Sequence, residues 1–346
     1  MNLLIEKLCA IELQADKLAS AETTALVAHE NDKKKSNSMK VNSGKSMKSG
    51  ADRAKQKFPC NKCKQLGHWA AECPQKQQHA GNRSGKLATN KILQKFNMAE
   101  AKGLSTPASC EESDNHKDVS GKVPYPEAVV SLMYLAAATR PDIAFAVNKA
   151  ARVIDRPTEK DWNNVKCIFR YLRSTSNYGL GYIRGPGELK VFSDADFAGD
   201  RVTRRSITGV IAIVANGAMS WTSKLKKTTA PSTTEAEIIA ASEGAKELVW
   251  LKRLLSELLS DFAEKTPVLY IDNASAIKLT KNPEYHKRSK HTEVRHFYVR
   301  ERYLNDDIGI EHVDGRKQLA DLLTKPIEHI QFEALCHEIG NTSGKQ

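Results

Sequence analysis

Alternating and apolar runs mark five candidate β-strands between residues 189 and 325. Each run has the length and the β-branched or aromatic content of a strand, and polar or turn residues bound it. The runs span residues 190–194, 206–214, 219–223, 268–272 and 309–313. Asn216 and Gly217 stand between the second and third runs. Because both accept a positive φ, they predict a tight hairpin turn at this point.

Helical patterns separate the later strands. Ser232 and Glu235 form a capping box, which predicts the start of a long helix that runs through Leu259. Residues 318–324 form a short amphipathic helix that Pro326 ends. This order of three antiparallel strands, helix, strand, helix, strand and closing helix predicts an α+β fold. Its centre is a mixed five-stranded sheet with helices on both faces.

The chain before the sheet is predicted to be helical close to the sheet and irregular further away. Thr158 is a predicted N-cap, and helical periodicity surrounds it. The predicted helices span residues 91–99, 126–138, 139–151 and 159–174. Residues 180–183 are predicted as a strand that leads into the sheet, whereas residues 75–90 and 107–121 are polar and predict linkers.

Residues 1–58 divide into a helical part and a basic part. Apolar residues at helical spacing predict one or two amphipathic helices within residues 2–28, either a self-assembly surface or a frayed helix that needs a partner. These apolar residues are Leu4, Leu8, Ile11 and Leu18. Residues 31–57 hold nine basic residues among Ser, Gly and Asn. That composition predicts a disordered basic linker that binds phosphates.

The overall charge indicates a polyanionic partner. Among 346 residues, 53 Lys and Arg stand against 41 Asp and Glu, a formal net charge of +12. In a chain without an amphipathic membrane stretch, this charge favours nucleic acid as the partner. No apolar run reaches membrane-spanning length, and the N-terminus lacks a signal-peptide pattern, which predicts a cytoplasmic or nuclear protein that binds no membrane. The length allows two or three domains.

Seven cysteines divide into a cluster of three and four isolated residues. Cys60, Cys63, His68 and Cys73 have the spacing Cys-x2-Cys-x4-His-x4-Cys. Three thiolates and one imidazole complete a closed, structural Zn²⁺ site, and zinc binding must supply the folding free energy of so short a unit. The isolated cysteines are expected to be inert thiols in a reducing compartment. They are Cys9, Cys110, Cys167 and Cys336.

Aromatic and basic side chains surround this zinc motif. Trp69 within it and Phe58 before it offer ring faces that stack on unpaired bases, a contact worth about 1–3 kcal/mol per base. Lys62, Lys64 and Lys76 are expected to hold phosphates. Together these residues predict that the motif binds RNA or other single-stranded nucleic acid.

Four acidic residues in the predicted sheet domain stand next to core-forming runs. They are Asp194, Glu237, Asp272 and Asp321. Acids at strand ends are often solvated turn residues. Each of these four adjoins apolar residues, however, and carboxylates placed against a core need a partner. A pair of Mg²⁺ ions is a natural partner, because Mg²⁺ prefers hard oxygen ligands.

Two further groups of residues have open interpretations. Lys224, Lys226 and Lys227 follow the third predicted strand and are either a solvated turn or a patch that grips nucleic acid. His291 and His296 are five residues apart, which places them off a common helix face. A structural role for His291 is therefore favoured over a metal site.

The order of these motifs resembles the polyproteins of copia-type retrotransposons. The matching sequences are Ser-Asp194-Ala-Asp-Phe-Ala-Gly-Asp, Ser-Thr-Thr-Glu-Ala-Glu237, Tyr-Ile-Asp272-Asn and Gln318-Leu-Ala-Asp321-Leu-Leu-Thr-Lys-Pro. The resemblance implies a ribonuclease H domain in which these four numbered acids bind two Mg²⁺ ions. It also implies that His312 occupies a mobile loop and shuttles protons.

The zinc motif and the upstream sequence Thr24-Ala-Leu-Val-Ala-His29-Glu resemble the end of a gag protein of the same family. Residues 91–107 and 122–183 resemble the thumb and connection of its reverse transcriptase. The catalytic motifs of its polymerase, protease and integrase are absent from this sequence. The implied divisions are a gag-tail helical segment (1–30), a disordered basic linker (31–58), a CCHC zinc knuckle (59–75), a linker with a short helix (76–121), a thumb and connection remnant (122–188), the ribonuclease H-like domain (189–327) and a C-terminal tail (328–346).

The resemblance leaves more than one function open. One is a Mg²⁺-dependent ribonuclease H that cleaves the RNA of RNA–DNA hybrids and recognises the 2′-OH and the shape of the hybrid. The alternative is a non-catalytic, zinc-dependent nucleic-acid binder or chaperone with an idle nuclease fold, or an inactive retrotransposon remnant.

Overall fold

The computed structural model describes residues 80–108, 117–183, 188–200, 202–258, 265–281 and 293–343. These residues belong to one compact unit, residues 79–346. No helix among them is both long and apolar enough to cross a membrane. The predicted N-terminal helices, basic linker and zinc motif lie outside the described residues.

Helices precede and surround a central sheet. In chain order the described elements of the first half are α1 (Ala80–Lys95), α2 (Tyr125–Ala138), a 3₁₀ turn (Pro141–Ile143), α3 (Ala144–Ala151), α4 (Glu159–Ser174), β1 (Tyr178–Leu180), β2 (Lys190–Asp196), β3 (Ile207–Val214) and β4 (Gly217–Leu225). They are followed by α5 (Thr233–Leu258), β5 (Val268–Ile271), α6 (Ala274–Lys281), α7 (Glu293–Leu304), β6 (Gly309–His312), a 3₁₀ turn (Gly315–Lys317), a further 3₁₀ turn that we call the closing turn (Leu319–Leu323), α8 (His329–Glu338) and β7 (Asn341–Ser343).

The central sheet has the strand order β4-β3-β2-β5-β6. Strands β2, β3 and β4 are antiparallel neighbours, β5 runs parallel to β2, and β6 runs parallel to β5. Parallel neighbours require crossover connections, which α5 and the segment with α6 and α7 supply. The predicted mixed sheet of five strands with flanking helices is confirmed.

Both faces of the sheet are covered. On one face Gly244 of α5 lies so close that a Cβ there would be 2.9 Å from Leu269 Cδ1 and 3.2 Å from Ser193 Cβ. On the other face Gly209 of β3 lies against the closing turn, where a Cβ would be 3.0 Å from Leu323 Cβ. Every residue of β3 is therefore buried, which explains its continuous apolar sequence.

Side-chain caps fix where two helices begin. Ser232 Oγ accepts a hydrogen bond from the Glu235 amide at 3.1 Å, so α5 starts at the predicted capping box. Thr158 and Asp161 form a complete capping box at the start of α4, as the predicted N-cap requires. These local signals were readable in the sequence, because a cap involves residues only three positions apart.

The β3–β4 hairpin turn lies one residue earlier than predicted. Val214 pairs with Gly217, so the two turn residues are Ala215 and Asn216, with φ of 55° and 59°. Gly217 is the first residue of β4, and Tyr182, which lies outside the hairpin, packs closely against it. A Cβ at Gly217 would lie 2.5 Å from Tyr182 Cδ1. The glycine therefore serves a close approach and not the turn.

The helices before the sheet share one hydrophobic core with it. That core joins α2, α3 and α4 to β2, β3, the closing turn and α8. Trp221 of β4 donates from Nε1 to the Ala136 carbonyl of α2 at 2.6 Å. Asn148 of α3 donates from Nδ2 to the Ser223 carbonyl of β4 at 3.0 Å. The segment predicted as a connection is therefore continuous with the sheet.

Three segments differ from their predicted structure. Residues 178–180 form β1, which pairs with β7 in a separate two-stranded sheet and does not lead into the central one. Residues 328–346, predicted as a C-terminal tail, contain α8 and β7. They are part of the fold because Phe332 and Leu335 of α8 are buried in the shared core. The short helix predicted at 318–324 is a 3₁₀ turn.

Helix α1 begins at Ala80, within residues predicted as a polar linker. Only its last five residues, 91–95, belong to the helix predicted at 91–99, because the sequence before them is mostly polar. Packing against α4 compensates: Leu93 is buried, and the Phe96 ring, just beyond the helix, stacks on Phe169 with centroids 5.1 Å apart. Tertiary contacts of this kind supply most of the stability of protein helices.

Two of the isolated cysteines lie in the described part of the chain. Cys336 is free and buried, and burial raises the pKa of its thiol well above the ordinary value, as expected for an inert thiol. Cys167 is disulfide-bonded. The prediction of an inert thiol is wrong for Cys167, because sequence spacing does not reveal which cysteines meet in space.

Candidate metal centre

Three carboxylates meet at the carboxyl ends of the two neighbouring strands β2 and β5 of the central sheet. Asp194 lies near the end of β2, Asp272 directly follows β5, and Asp321 lies in the closing turn. Strands β2 and β5 are parallel neighbours, so their carboxyl ends lie side by side. One oxygen from each of the three carboxylates lies within 4.8 Å of the others. We call these three residues the carboxylate cluster.

Glu237 approaches this cluster from the first turns of α5. It is only 6% exposed, and its Oε1 accepts a hydrogen bond from the Ala195 amide at 3.3 Å. Its Oε2 has no hydrogen-bond partner within the described part of the chain. Burial, together with the negative charges of Asp194 and Asp272, raises the pKa of Glu237 to about 9. Glu237 is therefore protonated near neutral pH when no cation is bound.

The pKa values of the other two cluster members, Asp272 and Asp321, are also raised. Burial and the charge of Asp194 raise the pKa of Asp321 to about 7, although Lys325 opposes the shift. Lys325 Nζ lies 2.9 Å from Asp321 Oδ1. Burial and Asp194 likewise raise the pKa of Asp272. At neutral pH the charge of Lys325 is therefore not enough to keep Asp321 fully ionised.

Two hydrogen bonds attach the closing turn to the sheet and so place Asp321. Gln318 Nε2, just before the turn, donates to the Ser193 carbonyl of β2 at 3.0 Å. Ser223 Oγ of β4 donates to the Leu323 carbonyl at the end of the turn at 2.6 Å. Asp321 therefore has a position fixed from both ends of a five-residue turn.

Thr324 directly follows the closing turn and contacts Asp194. It is fully buried, and its Oγ1 donates a hydrogen bond to Asp194 Oδ2. Gly209 is the cross-strand partner of Asp194, and a Cβ at this position would lie only 2.7 Å from Thr324 Cγ2. The missing side chain of Gly209 therefore makes room for the contact between Thr324 and Asp194.

Sequence reasoning did not single out Thr324, Gly209 or Lys325. Positions 209 and 324 are far apart in the chain, and a single sequence contains no signal that they meet. For Lys325 a signal was available, because it stands four residues after Asp321, a spacing at which opposite charges on a turn pair.

The donor atoms suit a hard divalent cation. The ligands on offer are carboxylate oxygens, which Mg²⁺, Mn²⁺ and Ca²⁺ prefer over nitrogen or sulfur. The buried Glu237 Oε2 lacks a hydrogen-bond partner among the described residues, and three further carboxyl groups lie together beside it. The residues present therefore fit a divalent-cation site.

His312 is the last residue of β6 and lies beside the cluster. It is exposed, and its Nε2 is 3.0 Å from the Asp272 carbonyl oxygen. The resemblance implied a loop position for this histidine, whereas the structure places it in a strand, because Ile271 pairs with His312 in the β5–β6 ladder.

The three predicted nucleic-acid-binding lysines after β4 differ in exposure. Lys224 and Lys227 are exposed. Lys226 is buried, and its Nζ donates to the Ala236 carbonyl in the first turn of α5 at 2.6 Å. The proposed binding role is therefore wrong for Lys226, because its ammonium group is used inside the protein. Its charge also opposes the raised pKa of Glu237.

The remaining predicted site residues lie outside the described residues. They are the zinc ligands Cys60, Cys63, His68 and Cys73, the proposed base and phosphate contacts Phe58, Lys62, Lys64, Trp69 and Lys76, and His291.

Comparison with known proteins finds one matching family model and several relatives. Residues 58–75 match the zinc knuckle family, zf-CCHC. The retrovirus-related Pol polyprotein from transposon TNT 1-94 of Nicotiana tabacum is 43% identical over 258 residues, 72% of this chain and 19% of that protein. The corresponding protein from transposon RE2 of Arabidopsis thaliana is 36% identical over 253 residues, 72% of this chain and 17% of that protein. The chain thus spans less than a fifth of the length of these relatives.

A shorter relative and a solved structure cover smaller parts of the chain. Secreted RxLR effector protein 161 of Plasmopara viticola is 45% identical over 130 residues, 37% of this chain and 92% of that protein. The structure of LC11-RNase H1, isolated from compost, aligns with a TM-score of 0.30 and 13% identity, over 40% of this chain and 92% of that chain.

Proposed function

The chain belongs to the family of retrovirus-related Pol polyproteins from copia-type transposons, and from this premise we propose that residues 189–327 act as a divalent-metal-dependent ribonuclease H. The proposed substrate is the RNA strand of an RNA–DNA hybrid, and the proposed cofactor is a pair of Mg²⁺ ions. The observation that supports this most is the meeting of Asp194, Asp272 and Asp321 within 4.8 Å, with Glu237 beside them.

Hydrolysis of a phosphodiester develops negative charge on the attacking and the leaving oxygen. Two Mg²⁺ ions, when bound, supply compensating charge and activate the attacking water. The protein's own part is to hold these cations through four carboxylates, those of Asp194, Glu237, Asp272 and Asp321. Because they come from β2, α5, β5 and the closing turn, a rigid fold fixes their arrangement in advance.

His312 is the proposed proton-transfer group of this site. Its Nε2 faces the Asp272 carbonyl, which leaves Nδ1 as the ring nitrogen that exchanges a proton. Lys224 and Lys227, both exposed after β4, are proposed to contact phosphates of the hybrid. Strand discrimination would come from the ribose 2′-OH and the shape of the hybrid.

The zinc knuckle is proposed to bind single-stranded nucleic acid next to the nuclease. Cys60, Cys63, His68 and Cys73 would hold a structural Zn²⁺ ion, in keeping with the family match at residues 58–75. Its aromatic and basic residues would then contact bases and phosphates. Residues 122–188 are proposed to be the thumb and connection part of a reverse transcriptase.

A cleavage assay on the full chain tests the proposed nuclease. Wild-type protein is expected to cut the RNA of a labelled hybrid in Mg²⁺ and to lose activity in EDTA. Asp272→Asn removes a charged ligand and is expected to lower the rate at least about 100-fold, because the lost charge stabilisation amounts to several kcal/mol. Asp155→Asn changes an exposed aspartate outside the cluster and is the matched control. Equal rates for wild type and Asp272→Asn would contradict the proposal.

A second function is supported by the zinc knuckle and the net charge of +12. In it the chain is a zinc-dependent nucleic-acid binder or chaperone whose nuclease fold is idle. The two functions separate cleanly, because Asp272→Asn would leave such binding intact, whereas loss of a zinc ligand would remove it.

A further inference from the structure

Thr324 touches one of the proposed metal ligands but has no part in the metal chemistry described above. We propose that Thr324 is a positioning residue, which orients the Asp194 carboxylate so that it binds a divalent cation together with Asp321. This inference rests on the proposed function, because the cation site is the same.

The position of Thr324 is fixed on several sides. Its amide donates to the Asp321 carbonyl at 3.2 Å, which makes it the residue that ends the closing turn. The preceding residue, Leu323, is held by the hydrogen bond from Ser223 Oγ. The Thr324 methyl group occupies the space above Gly209. Its hydroxyl group therefore has little freedom to rotate away from Asp194.

The Thr324 hydroxyl group lies near two acceptors and donates its hydrogen bond mainly to one of them. Thr324 Oγ1 donates to Asp194 Oδ2, and it lies 3.4 Å from the Asp321 carbonyl oxygen. A hydroxyl group has a single proton to donate, so the shorter contact with the carboxylate is the principal bond.

This bond also sets the relation between two ligands. Thr324 is covalently part of the segment that carries Asp321, and it holds Asp194 through its side chain. Asp194 and Asp321 are therefore kept at a fixed spacing before any cation arrives. Groups that orient ligands in this way typically change metal affinity by about 10–100-fold when they are removed.

Binding of Mn²⁺ alone to the full chain tests this role without any cleavage. Thr324→Val keeps nearly the same volume and removes the donor, and it is expected to weaken Mn²⁺ binding by about 10–100-fold in calorimetric titration. Thr324→Ser keeps the donor and is expected to stay within about threefold of wild type. Thr280→Val is the control, because Thr280 is equally buried but donates to the Ala276 carbonyl in α6.

Each outcome separates the inference from the proposed function. Equal Mn²⁺ affinity of Thr324→Val and wild type would overturn the positioning role and leave the nuclease proposal intact. If Thr324→Ser binds Mn²⁺ as weakly as Thr324→Val, a hydroxyl donor at this position is not enough to hold Asp194, and the inference is wrong. If Asp194→Asn binds Mn²⁺ as tightly as wild type does, the cation site itself is refuted.

Discussion

Gly209 and Asp194 face each other across the β2–β3 pair, and the space beside the glycine is occupied by the end of the closing turn. A Cβ at Gly209 would lie 2.7 Å from Thr324 Cγ2 and 2.8 Å from the Ala320 carbonyl oxygen. The glycine is therefore the feature of the sheet that lets the segment with Asp321 approach Asp194.

Gly209→Ala is expected to push the closing turn away from the sheet. The added methyl group meets backbone as well as a side chain, so the cost should be that of overpacking, about 1–3 kcal/mol. Mn²⁺ affinity should fall in the same variant, because Asp321 moves relative to Asp194. Chemical denaturation and calorimetric Mn²⁺ titration measure the two effects.

Gly315→Ala is the matched control for this substitution. A Cβ at Gly315 would meet nothing within 4 Å among the described residues, and the expected change in stability is within about 0.5 kcal/mol. A Gly209→Ala protein with wild-type stability and Mn²⁺ affinity would show that the turn does not depend on this close approach.

Glu237→Gln should remove part of the pH dependence of stability in the metal-free protein. The folded-state pKa of Glu237 is about 9, above its ordinary value of 4.5. A raised carboxyl pKa stabilises the fold fully below the unfolded value and loses this contribution as the pH rises through the folded value. Wild type should therefore lose stability from about pH 5 to about pH 9.

Glutamine mimics the protonated side chain at every pH and should flatten this part of the profile. Thermal melts in EDTA across the pH range measure it, and Glu243→Gln on the exposed side of α5 is the control. Identical slopes for Glu237→Gln and wild type would show that Glu237 ionises freely in the fold.

Cation binding should release protons and should tighten as the pH rises. Glu237 and Asp321 have pKa values of about 9 and about 7, so both are at least partly protonated near neutral pH without a cation. A cation binds only the ionised carboxylates. For each proton released, the cation affinity should therefore rise by up to about tenfold per pH unit. Titrations in buffers with different ionisation enthalpies count these protons. A pH-independent affinity would contradict the raised pKa values.

The strands and the four acids were predictable because their signals are local. A β-branched, mostly apolar run of eight residues identified β3, and apolar neighbours set Asp194 and Asp272 apart from ordinary turn acids. The capping residue Ser232 likewise acts on an amide three residues away. Periodicity, caps and apolar flanks all lie within one element, so a single sequence contains them.

The contacts that assemble the site were not predictable, since they join distant positions. Ser223 and Leu323 are 100 residues apart, and Thr324 and Asp194 are 130 residues apart. The same reason explains why the role predicted for Lys226 is wrong. Its side chain is bonded to the first turn of α5, ten residues further along the chain, and not exposed to solvent. Tertiary packing decides such cases after local propensity has been satisfied.

Trp221→Phe should weaken the attachment of the connection helices to the sheet. The substitution removes the hydrogen bond from Trp221 Nε1 to the Ala136 carbonyl, worth about 0.5–1.5 kcal/mol, and leaves a small void. Denaturant unfolding of the full chain measures the loss. Trp250→Phe is the control, because Trp250 is 56% exposed on α5 and should change stability little. Equal losses in both variants would mean that the bond to α2 adds nothing.

Cys60→Ser should remove most of the affinity of the full chain for single-stranded RNA. The zinc knuckle at residues 58–75 has too few residues for a core, so loss of one zinc ligand unfolds it and disperses its aromatic and basic side chains. Filter binding should show this loss and a smaller dependence of affinity on salt, because fewer phosphates are then neutralised. Cys9→Ser, outside the motif, is the control and should bind like wild type. Unchanged RNA affinity in Cys60→Ser would place the binding surface elsewhere in the chain, with the basic residues 31–57 as the next segment to delete.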